Sequence, residues 1–165
     1  MPSFFTARSA RLGLILVAGL ALGACAKNPA DDNGLGAGSG VASPGSQQDF
    51  IVNVGDKVFF ETDSTELTTT AQATLDKQSA WLNRYGRYSF TIEGHADERG
   101  TREYNFALGA RRSEVTKEYL VAKGVSSGRM KTNSYGKERP VAVCNDISCW
   151  SQNRRAVTAL SGGNS

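Results

Sequence analysis

Two periodicities alternate along the chain beyond residue 56. Leu67, Ala71, Leu75, Gln78, Leu82 and Tyr85 recur every three or four positions, which predicts an amphipathic helix ending near Gly86. Lys57 to Phe60 and Tyr88 to Ile92 flank it; both are short and aromatic or β-branched, with Tyr88, Phe90 and Ile92 alternating onto one face, and they read as strands. A second helix is predicted from about Tyr104 to Lys123, with Gly124 as its stop. Met130 to Tyr135 and Arg155 to Leu160 supply two further strands. The order β-α-β-α-β, then a short turn of helix and a last β, predicts an α/β sandwich with the helices packed on one face of a mixed sheet.

The second helix breaks its own pattern. Leu108, Arg112, Val115 and Tyr119 fall at i, i+4, i+7 and i+11, so Arg112 shares the stripe expected to face the core, where a charge needs a partner. Asn105 lies on the same side one turn earlier. Just upstream, Gly94 to Thr101 read GHADERGT, which places Asp97 on the loop feeding this helix. Asp97 and Arg112 are thus expected to meet across a cleft beside Asn105 and Leu108. An acid, a guanidinium, an amide and an apolar wall match a zwitterionic amino-acid head, with the guanidinium forking a carboxylate and the acid accepting from an ammonium. A structural ion pair accounts for the same two residues equally well.

The first 48 residues carry neither periodicity. Arg8 and Arg11 precede the uncharged apolar run Leu12 to Leu22, too short to span a bilayer and of the form of a secretory leader. Leu22, Gly23, Ala24 and Cys25 resemble a bacterial lipobox, which makes residues 1–24 a lipoprotein signal peptide and Cys25 the lipidation site, carrying an N-acyl chain and an S-diacylglycerol. No other cofactor is expected. Residues 25–48 are Gly- and Ser-rich with few large apolar side chains, the composition of a disordered tether. Ala26 follows Cys25 where enteric inner-membrane lipoproteins carry Asp, so the expected destination is the outer membrane, with residues 49–165 as a domain facing the periplasm. The formal charge of +3 falls to about +1 once Arg8 and Arg11 are removed, and the basic residues form no stripe, which argues against nucleic acid as a partner.

Cys144 and Cys149 have four residues between them, and in an oxidising compartment they are expected to pair as a disulfide. His95 is the single histidine, too few ligands for a zinc site, so no metal is expected. A hydrolase would need His95 with Asp97 as base and Ser64 or Cys144 as nucleophile, none in a recognised elbow. A non-enzymatic binder is the preferred reading; a surface lipoprotein antigen or adhesin without wall contact is the other alternative.

Residues 92–120, IEGHADERGTREYNFALGARRSEVTKEYL, closely resemble the peptidoglycan-binding motif of the OmpA-like C-terminal domain family. VFFETDS at residues 58–64, SYGKERP at 134–140 and QNRRAV at 152–157 extend the resemblance from about Phe50 to Leu160. The resemblance implies a domain that binds peptidoglycan non-covalently, tethering the outer membrane to the wall and supporting envelope integrity and constriction at division. It implies that Asp97 and Arg112 hold the diaminopimelate of the stem peptide, with Asn105 and Leu108 beside them, and that TolB and other Tol-Pal components are protein partners. The family often reads Phe-Asp-x-Asp at the end of the first strand; here the residues are Phe60, Glu61, Thr62 and Asp63, so Asp63 keeps the pattern and Glu61 departs from it. Arg154 and Arg155 match the motif's closing pair, for which a structural role under the sheet is an equal reading.

Overall fold

The computed structural model describes residues 42–162. The leader, Cys25 and most of the tether lie outside the described residues. Within them, no helix is long and apolar enough to cross a membrane.

Strands β1 (Lys57–Phe59), β2 (Ser89–His95), β3 (Met130–Gly136) and β4 (Arg155–Ser161) form one mixed sheet in the order β1-β4-β2-β3. Only β2 and β3 are parallel, Phe90 opposite Met130, as the intervening crossover helix requires. The last strand inserts between β1 and β2, antiparallel to both. Helices α2 (Thr69–Arg84) and α3 (Arg102–Ala122) cover the face that carries Phe90, Ile92 and Ala156, the expected sandwich. Thr68 and Thr101 cap the two helices, each side-chain oxygen accepting from the backbone N–H three residues on. Gly124, at φ +86°, ends α3 where a side chain would be strained.

Leu75, Leu82, Phe90, Ile92, Leu120 and Val125 are fully enclosed, and Phe50 joins them from the opposite side of the sequence. Gln78 sits on this apolar stripe without penalty because its amide donates to the Gly55 carbonyl and accepts from the Thr158 hydroxyl.

Two expectations need correction. The described end of the predicted tether is not an unstructured leash: Ser46 caps a turn of helix α1 (Gln47–Asp49), which runs into a π-helical turn at Phe50–Val54. The Gly45 carbonyl accepts from the Tyr88 hydroxyl at 2.7 Å, and Asp49 accepts from Trp81 Nε1 at 2.8 Å. Composition missed this because the anchoring partners are aromatic side chains some forty residues away. The buried stripe of α3 is also rotated from the expected one. Leu108, Arg112, Thr116 and Leu120 are buried, whereas Val115 and Tyr119 are only half-buried.

That rotation follows from glycine. Gly94 on β2 and Gly109 on α3 bring their backbones together so closely that a Cβ on Gly94 would lie 1.8 Å from the Gly109 carbonyl oxygen. A Cβ on Gly136 of β3 would meet the Phe106 nitrogen at 2.9 Å. Helix α3 therefore presses down on the sheet along small residues, and Asn105, Leu108 and Arg112 are carried to the end where β2 gives way to the Ala96–Gly100 loop.

Candidate functional site

At that end a cavity of about 240 Å³ is lined by Thr62, Asp63, Asp97, Arg99, Gly100, Tyr104, Asn105, Leu108, Arg112 and Arg154. It has room for about eight waters at roughly 30 Å³ each, which suits an amino-acid head better than an extended ligand. All five residues singled out for binding line it. A larger groove of about 570 Å³ lies beside Phe106 and Tyr135, but its charged residues include Arg102 and Glu138, which pair with each other at 3.2 Å on the surface. In the smaller cavity two acids, Asp63 and Asp97, converge with three arginines, Arg99, Arg112 and Arg154.

Arg112 is fully buried and spends its donors on the backbone. Nε donates to the Ser64 carbonyl at 2.9 Å, Nη1 to His95 at 2.8 Å and Nη2 to Glu61 at 3.0 Å. Two chain segments, the Glu61–Ser64 turn and the end of β2, are thereby tied to one helix, and two of the five N–H groups have no partner among the described residues. Burial, with the neighbouring Arg154 charge, lowers its pKa to about 10, against the opposing pull of Asp97 and Asp63, and the guanidinium stays charged at neutral pH. The ring of Phe60 lies 5.0 Å from it.

Asp97 and Arg112 share the cavity but do not bond to each other, so the direct ion pair weighed as the alternative is not formed. Asp97 is held instead by Arg99, Nε to Oδ1 at 3.2 Å and Nη2 to Oδ2 at 2.7 Å, and by Arg154 Nη1 at 3.3 Å. Burial alone would raise the Asp97 carboxyl; hydrogen bonds from the Arg99 side chain and backbone and from Arg154 overcome that and hold it below the ordinary carboxylate value. The reason is local. Arg99 reaches Asp97 across a two-residue turn, whereas Arg112 is intercepted by carbonyls that no side-chain pattern reveals.

The remaining residues frame this centre. Asp63 adopts φ +54°, the left-handed region that an acidic residue tolerates better than most, and accepts from the Tyr104 hydroxyl. Asn105 donates to the Arg99 carbonyl at 2.7 Å, fixing the backbone of the rim. Arg154 also donates from Nε to the Phe60 carbonyl at 3.0 Å, so this arginine is both a structural tie and a member of the site. Arg99, Tyr104 and Thr62 were not anticipated; the position of Arg99, two residues after Asp97 before a capped helix, was the available signal.

Cys144 and Cys149 are joined by a disulfide at the start of α4 (Ile147–Asn153). Trp150 on this helix donates to the Glu98 carboxylate and lies beneath the Arg99 guanidinium, 4.2 Å from its ring centroid. The residues of the hydrolase alternative are not assembled. Ser64 Oγ accepts from the Glu66 nitrogen, Cys144 is oxidised, and both ring nitrogens of the buried His95 lack a hydrogen-bond partner. Burial, reinforced by Arg155 and Arg139, lowers the His95 pKa to about 4, so the imidazole is neutral. Among the described residues no cluster of His, Cys, Asp or Glu could hold a metal ion.

Residues 59–154 match the model of the OmpA family. The chain is 66% identical over 155 residues to a peptidoglycan-associated lipoprotein of Rhizobium meliloti, covering 92% of this chain and 88% of the relative. Its structure is similar to the crystal structure of the peptidoglycan-associated lipoprotein from Burkholderia pseudomallei, at 39% identity and a TM-score of 0.62, covering 64% of this chain and 90% of that one. The C-terminal domain of Helicobacter pylori MotB shares the fold at 19% identity and a TM-score of 0.60, covering 64% of this chain and 84% of that one.

Proposed function

The chain belongs to the OmpA family, and on that footing we propose that it is a peptidoglycan-binding lipoprotein of the outer membrane, anchored through Cys25 and holding the wall through the cavity around Asp97. In this reading residues 1–24 are the signal peptide, 25–48 carry the acylated Cys25 and the tether, and 49–165 bind the wall from the periplasmic side. The described end of the tether is hydrogen-bonded to the domain from Gly45 on, through Arg87 and Tyr88.

The observation that carries the reading is the convergence of Asp97, Asp63, Asn105, Leu108 and Arg112 on one small cavity at the exposed end of the sheet. A diaminopimelate head offers an ammonium and a carboxylate on one carbon. Asp97, kept ionised by its arginine neighbours, accepts from the ammonium, and the two uncommitted N–H groups of Arg112 meet the carboxylate. Leu108 and Asn105 form the wall against which the aliphatic stem lies. The family resemblance extends the proposal to TolB and other Tol-Pal components as protein partners in envelope integrity and constriction.

Co-sedimentation with purified sacculi tests the reading. The wild-type domain is expected in the pellet and Asp97→Ala in the supernatant, at equal folded fraction. Equal retention of the two proteins refutes the site, and no retention of either favours a surface lipoprotein without wall contact. For the anchor, Cys25→Ser is expected to lose palmitate labelling and membrane fractionation; a variant that keeps both overturns it.

A further inference from the structure

Asp97 is already occupied. Its two oxygens are taken by the Arg99 fork, the bond pattern that a ligand's ammonium needs for itself. Arg154 touches the same carboxylate, but its side chain is only 5% exposed and is tied to the Phe60 carbonyl, so it stays. The Arg99 side chain is 41% exposed and has no tie of that kind; beyond Asp97 it has a long 3.5 Å contact with the Thr62 hydroxyl and the face of Trp150. Its backbone, in contrast, is fixed: Asn105 holds the Arg99 carbonyl, and Lys137 donates to the Glu98 and Gly100 carbonyls. The side chain alone is free to leave. Trp150, anchored through Glu98 on the disulfide-clipped helix, offers a surface on which the guanidinium rests without the carboxylate.

We propose that Arg99 is an intramolecular competitor, holding Asp97 in place of the ligand's ammonium, so that binding exchanges one cation for the other. This rests on the reading of the Asp97 cavity as the diaminopimelate site. The exchange is isoelectric at Asp97: the carboxylate is never left bare, which a group 7% exposed and flanked by the polar loop requires. It also sets specificity, because a neutral amide in the ammonium position cannot displace a guanidinium. Apparent affinity is reduced by the fraction of molecules in which Arg99 is engaged, and removing the competitor restores it.

The test uses a soluble muropeptide carrying diaminopimelate and the same muropeptide with its side-chain amine acetylated. Arg99→Gln is expected to bind the free-amine form roughly three- to tenfold more tightly than wild type. For the acetylated form the ratio should return to about one. Arg99→Lys keeps the charge but loses the fork and should fall between them. In the wild type, Trp150 fluorescence should change on binding as the guanidinium moves, and Trp150→Phe should lose that signal. Equal or weaker binding of the free-amine form by both Arg99 variants overturns the competitor while leaving the site intact. If Asp97→Asn binds like wild type, or no variant binds, the site reading fails and takes this proposal with it.

Discussion

Arg112 on the α3 wall and Arg99 on the loop rim border the same cavity and the same carboxylate, yet the structure uses them in opposite ways. The wall arginine is sealed, and the groups it holds are backbone carbonyls: Glu61 and Ser64 on the turn after β1, and His95 at the end of β2. The rim arginine is half in water, and the group it holds is a single side chain. Charge on the wall is architecture that the ligand borrows; charge on the rim is occupancy that the ligand replaces. Substitutions should separate the two.

The largest effect is expected at the wall. Arg112→Ala takes the guanidinium donor from three carbonyls, leaving only Glu61 a second donor in the Ser64 nitrogen, and opens a cavity under Phe60, and we expect a loss of about 3–5 kcal/mol in urea melting together with loss of sacculus retention. Arg112→Lys should recover little, since one ammonium cannot span the three directions the fork covers. A stability change below about 1 kcal/mol would move Arg112 to the rim class.

Asp97→Asn should cost less, about 1–3 kcal/mol, because only one of its two partners is trapped: Arg99 returns to solvent, whereas Arg154, at 4% exposure, is left beside a neutral amide. Retention should fall almost completely. A variant as unstable as Arg112→Ala would mean that Asp97 is architecture too.

The contrast also marks what the sequence could disclose. The strands, both long helices, the Gly124 stop and the sandwich follow from periodicity and turn chemistry, and the structure carries them with ends shifted by a few residues at most. Four of the five cavity residues, Asp97, Asn105, Leu108 and Arg112, were legible because a charge on a core stripe and an acid on the preceding loop are anomalies that a site or an ion pair explains; Asp63 came only from the family resemblance. Their wiring was not legible. Backbone carbonyls carry no residue signature, so the partners of Arg112 were invisible, and the proximity of Arg99 to Asp97 depends on a turn geometry that GHADERGT does not specify. The α3 stripe was misplaced for a related reason: Gly109, Ser113 and Thr116 are buried because the helix lies close to β2, and small residues add little to a hydrophobic pattern.

The disulfide sits on the rim side. Closing six residues removes about 2 kcal/mol of unfolded-state entropy at most, so Cys144→Ser with Cys149→Ser should lower stability by that much or less and leave Arg112-dependent packing untouched. Thiol labelling of protein taken from the periplasm under denaturing, non-reducing conditions should find no free cysteine at these positions. A loss well above 2 kcal/mol would make the clip part of the wall.

His95 gives the comparison a pH axis. Its carbonyl serves Arg112 while its ring is buried neutral, with a pKa lowered to about 4 from 6.5. The unfolded state therefore binds the extra proton between those values, so the contribution of His95 is unaffected above pH 6.5, is lost progressively as pH falls to about 4, and changes no further below that. The slope in this window should be at most about 1.4 kcal/mol per pH unit. Asp97, whose pKa is held low, loses its contribution only at lower pH, as pH falls from the ordinary carboxylate value through its lowered folded value. Urea melts at pH 7.5 and 5 should show the slope in wild type and its absence in His95→Gln; a slope that survives the substitution belongs to another group.

The smallest effect is expected at Glu61, where this chain departs from the Phe-Asp-x-Asp pattern of its family. The Glu61 carboxylate is exposed and makes no hydrogen bond or ion pair among the described residues, while its carbonyl accepts from Arg112 Nη2 at 3.0 Å and from the Ser64 nitrogen at 3.3 Å. The contribution of position 61 is thus made by the main chain, which closes the turn that sets Asp63 at φ +54° facing Tyr104. Asp can adopt the same backbone. Glu61→Asp should therefore change stability by no more than about 0.5 kcal/mol, the range of an ordinary surface substitution, and leave sacculus retention within twofold of wild type. Asp63→Ala is the contrasting variant on the same turn: it removes the acceptor of Tyr104 and puts an ordinary side chain in the left-handed region, so it should cost more on both measures. If Glu61→Asp alters retention while Asp63→Ala does not, the acidic side chain at 61 reaches the ligand and the rim extends one residue further than the cavity now marks.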